Sequence, residues 1–304
     1  NNFAGVIHMK KTIVAAAVAA LVAAPAAFAD LKISGQINVE IGDVDNETDL
    51  LMDENADIVF SGSEDLGNGM KAFFKIASSP DGGAEGLGND DRYLGVSGDF
   101  GTIKFGRYET MISSKGTDMA NGLASTEILS VESMPVNSSN TRGNEGVNYT
   151  SPNFNGITVS VGGWMSGTDE NATTANTSDF DETEAMVQYA NNGLTVRYVT
   201  RNSDTSNEDS HVIGAQYTMG DLTVGLTDVS SDDTTEENTI VGAKYKMGNN
   251  TFGAAYVADH NTTANDGDYI VTAKHSLSKS TTVWVGFEDK ANVDTTSIGL
   301  QHKF

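Results

Sequence analysis

Asp43, Asp45, Glu47 and Asp49 recur at every second position, and Glu54 stands twelfth counting from Asp43. That is the ligand spacing of an EF-hand loop, which would surround a hard divalent cation with oxygens. Position six is Thr48 where the loop's sharp turn requires Gly, and no helical pattern flanks the run. Diffuse attraction of divalent cations is therefore the better reading. The histidines, His8, His211, His260, His275 and His302, form no H-x-x-x-H pair. No serine shares a recognisable nucleophile setting with any of them. With no cysteine, thiol catalysis, disulfides and cysteine metal sites are excluded. We expect no enzyme, no cofactor and no structural metal. Acids outnumber bases 42 to 18, for a net charge of −24. Such a chain repels phosphate backbones, so nucleic acid is not an expected partner.

The elements that would position these charges are strands. Leu31, Ile33, Ile37, Val39 and Ile41 alternate with Lys32, Ser34, Gln36, Asn38 and Glu40. The same period of two recurs in Leu194–Tyr198, Val241–Met247 and Ile298–Phe304. Sixteen such segments can be placed: 31–41, 56–63, 70–77, 91–97, 102–107, 146–151, 157–165, 184–190, 194–202, 211–219, 222–229, 239–247, 251–258, 269–277, 281–288 and 295–304. Helical patterning is weak everywhere, with 117–134 the best candidate. Connections alternate between tight Gly/Asn turns, such as Asn191-Asn192-Gly193, and long polar stretches, of which 108–145 is the longest. An even strand count with short turns on one side and long loops on the other describes an antiparallel transmembrane β-barrel of sixteen strands. A closed sheet supplies every backbone amide with a partner inside lipid. A soluble β-sandwich would also alternate, but it does not explain the alternating loop lengths.

Met9 to Ala29 reads as a signal peptide: Lys10 and Lys11, an Ala-rich apolar core, and Ala27-Phe28-Ala29 before a cut at Asp30. Residues 1–8 are then an upstream extension, and 30–304 the barrel. The long connections hold 31 of the 42 acids but only three bases, Lys115, Arg142 and Lys290. Lys32, Arg197, Arg201, Lys244, Lys246 and Lys274 share parity with polar neighbours and should face the lumen. An acidic mouth and a partly basic wall are the result.

Several stretches carry a family resemblance. Gly62-Ser63-Glu64-Asp65-Leu66-Gly67-Asn68-Gly69-Met70-Lys71-Ala72 resembles the G-x-E-D-L-G-N-G-L-K-A signature of Gram-negative general diffusion porins. Phe100-Gly101-Thr102-Ile103-Lys104-Phe105-Gly106-Arg107 is similar to the family's segment before its third loop. Arg142-Gly143-Asn144-Glu145-Gly146-Val147-Asn148-Tyr149-Thr150-Ser151-Pro152, Leu277-Ser278-Lys279-Ser280-Thr281 and Gly299-Leu300-Gln301-His302-Lys303-Phe304 follow family motifs in order. The family usually has Arg about three residues before the aromatic of strand 4; this chain has Asp90 there and Arg92 two residues on.

The resemblance implies an outer-membrane barrel of a Gram-negative bacterium with short periplasmic turns, long external loops and an inward-folded third loop. It also implies a homotrimer that meets outer-membrane lipid, lipopolysaccharide and the barrel-assembly machinery, with Phe304 as the assembly signal. The expected function is passive diffusion of ions and small hydrophilic solutes. Glu109, Asp118, Glu127 and Glu132 are the expected acidic side of the constriction. Lys32, Lys71, Lys75, Arg92 and Arg107 are the expected basic wall. Opposed charge rows create a transverse field that favours polar solutes, and acids at the narrowest point would give modest cation preference. Two other readings are a structural or adhesin barrel with acidic loops and a substrate-specific porin. A sugar channel would want an aromatic stripe, and Trp164 and Trp284 are too few to build one.

Overall fold

The computed structural model describes residues 30–45, 51–79, 90–116, 119–126, 128–130, 142–165, 180–203, 209–231, 238–259, 267–290 and 293–304. The expected signal peptide and upstream extension, Asp118, Glu127 and Glu132 lie outside them.

Sixteen strands form one closed antiparallel sheet. They are β1 (Lys32–Val44), β2 (Leu51–Gly67), β3 (Met70–Ser78), β4 (Arg92–Gly98), β5 (Gly101–Glu109), β6 (Arg142–Thr150), β7 (Ile157–Trp164) and β8 (Glu182–Asn191). They continue as β9 (Leu194–Ser203), β10 (Ser210–Met219), β11 (Leu222–Ser231), β12 (Asn238–Met247), β13 (Asn250–Asp259), β14 (Asp268–Ser276), β15 (Thr281–Lys290) and β16 (Val293–Lys303). Each strand pairs with its sequence neighbours, and β1 pairs with β16 through contacts such as Val39↔Leu300. Closure leaves no edge strand with unpaired amides. The last residue finishes the seam: Phe304 and Gly35 exchange both backbone hydrogen bonds, at 2.9 and 3.0 Å.

All sixteen expected segments are strands. The largest differences lie at the ends remote from the short turns, though β2 also runs four residues past its expected end, to Gly67. β2 begins at Leu51 and β6 at Arg142, several residues before the apolar alternation starts. Inter-strand hydrogen bonds do not need an apolar face, so the ladder continues where the alternation stops. Hairpin turns lie where Asn-Gly pairs were found. Asn68 and Gly69 have φ of 53° and 75°, and Asn192 and Gly193 of 49° and 83°. These are the positive values a tight two-residue turn requires.

Pairing places Ile33, Ile37, Ile58, Phe60, Leu94, Phe105, Val285 and Ile298 on the outer surface, most of them exposed. The inner surface is not uniformly polar. Val199, Val212, Val229, Ile240, Val257 and Ile270 point inward from β9–β14 and are almost fully buried. The polar lumen-facing stripe is interrupted at these positions, because something inside the barrel covers them. Both tryptophans also point inward, each over a facing glycine: Trp164 opposite Gly146, and Trp284 opposite Gly299. They act as wedges within the wall.

Arg201 on β9 and Glu182 on β8 form an interior ion pair at 2.6 Å, with both side chains over nine-tenths buried. Removing one partner strands a buried charge, which costs about 3–5 kcal/mol. Arg201→Ala should therefore lower the temperature at which the barrel unfolds on a heat-modifiability gel. The paired change Arg201→Met with Glu182→Gln should recover most of that loss. A single variant as stable as the parent would show that the pair contributes nothing.

Candidate pore constriction

Beyond Glu109 the chain turns into the barrel. Thr110 starts the turn: its carbonyl accepts from the Ser114 amide at 2.9 Å and from Ser114 Oγ at 2.8 Å. A π turn follows at Ile112–Gly116, then a 3-10 turn at Asn121–Leu123. Of the helical segment expected at 117–134, the described residues show the single 3-10 turn, and the π turn lies before it. Gly116 and Gly122 weaken a continuous helix, and the segment's shape follows what it packs against.

Met111, Ile112, Met119, Ala120, Leu123, Ala124 and Leu129 of this loop are buried. Met111 and Ile112 pack with Met186, Val199, Val212 and Val229. Ala120, Ala124 and Leu129 pack with Ile240, Ala255, Val257 and Ile270. Fully burying one of the methionine, leucine, isoleucine or valine side chains contributes about 1.5–3 kcal/mol. Inward-facing glycines let the loop lie flat. A Cβ at Gly225, Gly242 or Gly253 would collide with the carbonyl oxygens of Met119, Ala120 and Leu123 respectively.

Wall side chains then hold the loop backbone. Glu184 on β8 accepts from the Met111 and Ile112 amides at 2.5 and 3.3 Å. Glu40 on β1 accepts from the Ile128 amide at 3.0 Å and Thr126 Oγ1 at 2.8 Å. Glu288 on β15 accepts from the Ser130 amide at 3.2 Å. Loop carbonyls are taken by cations and an amide. Arg197 donates to Lys115 at 3.0 Å, Gln216 to Met119 at 3.2 Å, Lys274 to Ser125 at 2.8 Å, and Lys290 to Ser130 at 3.2 Å. Hydrogen bonds to charged groups are each worth about 1.5–3 kcal/mol. The loop is therefore fastened along an arc from β8 round to β1.

The inner wall of β2–β5 faces this arc. Gln36 donates to Asp57 at 2.9 Å, and Ser79 Oγ lies 2.7 Å from Asp57 and 3.0 Å from Asp90. Arg142 reaches Asp90 at 3.4 Å and Asp91 at 3.6 Å, and Lys75 pairs with Asp91 at 2.7 Å. Lys104 lies over the rings of Tyr108 and Tyr93, 4.0 and 5.3 Å from their centroids. No carboxylate lies within ion-pair distance of Lys104 among the described residues.

Of the expected basic wall, Lys32, Lys71 and Lys75 fall on inward positions, Lys32 and Lys71 near the short-turn end. Arg92 and Arg107 do not. They face each other across β4 and β5 on the outward alternation that carries Leu94 and Phe105. Glu109, at the end of β5, shares Arg107's alternation and accepts from Ser113 Oγ at 3.0 Å. Expected acids Asp118, Glu127 and Glu132 are outside the described residues. The clamps Glu184 and Glu288, with Lys104 opposite, were not among the expected site residues. Each carries an inward parity readable from its strand; Glu184 stands two residues from inward Met186.

The family described as Gram-negative porin matches residues 15–295. The chain is 32% identical over 170 residues to the major outer membrane protein P.IB of Neisseria lactamica, covering 50% of this chain and 49% of that one. It is 29% identical over 210 residues to P.IB of Neisseria meningitidis serogroup B, serotype 15, covering 62% and 58%. The chain thus spans about half the length of the curated relatives it matches. Among solved structures, an anion-selective porin from Comamonas acidovorans superposes with a TM-score of 0.68 at 19% identity, over 91% of this chain and 100% of that one. OmpF of Salmonella typhi, solved with daunomycin, superposes at 0.71 and 14% identity, over 90% and 97%. At such identities the structural likeness concerns the fold. With the family match over nearly its whole length and a closed sixteen-stranded barrel to accompany it, the chain belongs to the Gram-negative porin family of outer-membrane proteins.

Proposed function

We propose that the barrel is a passive channel for ions and small hydrophilic solutes, narrowed by its third loop. One observation carries this reading. The loop is fastened inside the barrel, against one side of the lumen, by carboxylates at amides and by cations at carbonyls. The facing wall carries polar and charged groups at Gln36, Asp57, Lys75, Tyr93 and Lys104, a lining suited to hydrated solutes.

The reading extends to modest cation preference. Lys75, Arg142 and Arg201 are neutralised by carboxylates, whereas Arg197, Lys274 and Lys290 keep their charge while bonded to the loop's carbonyls. The remaining wall cations are spread around the circumference and meet the acid surplus of the chain. Screening limits the reach of the mouth acids to about 8 Å at physiological salt. Subunit packing in threes would use the outward stripe of Ile58, Phe60 and Gly62 with Ala72, Phe74 and Ile76, where the Phe74 ring covers Gly62.

Three measurements test this. Purified protein in a planar bilayer should insert as conductance steps in groups of three; a folded barrel with no steps would support a structural or adhesin role instead. The zero-current potential across a KCl gradient should show cation preference, larger at low salt, and Lys104→Glu should enlarge it. Chloride preference at both low and high salt would overturn the charge assignment. Glu40→Ala removes the acceptor for Thr126, Ile128 and Ser297, at about 1–3 kcal/mol per stranded donor. It should give a larger and noisier open conductance from a barrel that remains folded. Unchanged conductance would mean the apolar seat alone holds the loop.

A further inference from the structure

The inner wall sorts its charges along the barrel axis. On β1, inward Lys32 lies at the short-turn end and inward Glu40 eight positions further on. On β14, inward Asp268 and Lys274 are six positions apart, with the acid toward the long connection. At 3.3 Å per residue, six positions set the two charges about 20 Å apart along the strand. The same order runs round the barrel. Lys71 follows the β2–β3 turn, Arg197 follows the β8–β9 turn, and Lys244 and Lys246 precede the β12–β13 turn. Lys244 stands between Thr223 and Gly253, and a Cβ on that glycine would meet the Leu123 carbonyl of the inserted loop, so the position faces inward. Lys246, two residues on, shares that face. Asp65 also faces inward at this end, opposite Lys71, and accepts from the Gly67 amide at 2.8 Å. Toward the long connections, Asp53, Asp57, Glu184 and Glu288 face inward with Glu40 and Asp268. Among the bases at that end, Lys75, Arg142 and Arg201 are met by Asp91, Asp90 and Glu182.

We propose that these two belts of opposite charge make the channel rectify: it passes more current when the long-connection end is held positive than when that end is held negative. With that polarity cations enter past the acids and anions enter past the bases, so both accumulate in the middle of the lumen. With the polarity reversed, each ion enters past fixed charge of its own sign, and the middle is depleted. The Debye length is about 10 Å at 0.1 M salt, shorter than the spacing of the belts, so neither belt cancels the other. Rings of charged side chains set which ion a pore admits, and this lumen presents one sign first and the other second. The inference rests on the reading of the barrel as an open channel, and it adds a direction to the modest cation preference.

The test is single-channel recording from the full barrel in a planar bilayer. In about 0.1 M KCl, currents at equal and opposite voltages should differ about twofold, and the ratio should approach one near 1 M, where the Debye length falls to about 3 Å. Each channel also reports its own orientation. With KCl dilute on one side and then on the other, the charges facing the dilute side are screened least. Cation preference is therefore larger when the long-connection end faces the dilute solution, and that same side, made positive, should carry the larger current. Lys244→Glu/Lys246→Glu should bring the ratio close to one, and Lys244→Arg/Lys246→Arg should rectify as wild type does. Lys244→Gln/Lys246→Gln should fall between, and it keeps the test decisive where the Glu pair fails to fold. Equal currents from a conducting wild-type barrel would overturn the inference. So would the opposite link between dilute-side preference and current, or a ratio that neither the Gln nor the Glu pair lowers. A folded barrel with no conductance would remove the channel reading and this inference with it, whereas symmetric conductance removes the inference alone.

Discussion

A polypeptide in hydrocarbon has no water to take its amide hydrogens, and that constraint shapes everything else here. Sixteen strands satisfy one another, and the last obligation is met where β16 returns to β1 and Phe304 pairs with Gly35. Once the sheet closes, each residue belongs to one of two surfaces, and a shift of one position exchanges them. The inside of a closed sheet this wide is too large to be filled by wall side chains alone. The third loop occupies part of it.

That loop is held by the same physics that closes the sheet. Its backbone leaves the strand ladder and must find partners within the lumen, and Glu184, Glu40 and Glu288 supply acceptors where the amides point inward at the wall. The apolar face of the loop then meets valines and isoleucines that a water-filled lumen would not favour. A hydrophobic core therefore exists inside a membrane barrel, shielded from lipid by the sheet. Glu40 couples the two structures, because it bonds the loop and also accepts from Ser297 across the β1–β16 seam.

Much of the site was legible before the fold. Parity alone places Glu40, Arg197 and Lys274 inward, and the register agrees. The family pattern places Arg92 on the wall, but its own strand carries the opposite signal: Leu94 and Val96 share its parity and are apolar, and the register puts it outside. Val199, Val212 and Ile240 could not be read as loop contacts, since an inward valine on a strand looks the same whether water or a loop covers it.

The sequence by itself determined the strand count, the hairpin turns and the two faces of each strand, because these follow from a period of two and from residues that tolerate positive φ within a few positions. Only the tertiary structure decided where the third loop lies and which charges remain facing open lumen. Those contacts join residues far apart in the chain, 88 positions between Glu40 and Ile128 and 158 between Ser130 and Glu288. No local pattern encodes such distances; they depend on barrel closure bringing the first and last strands to the same stretch of loop.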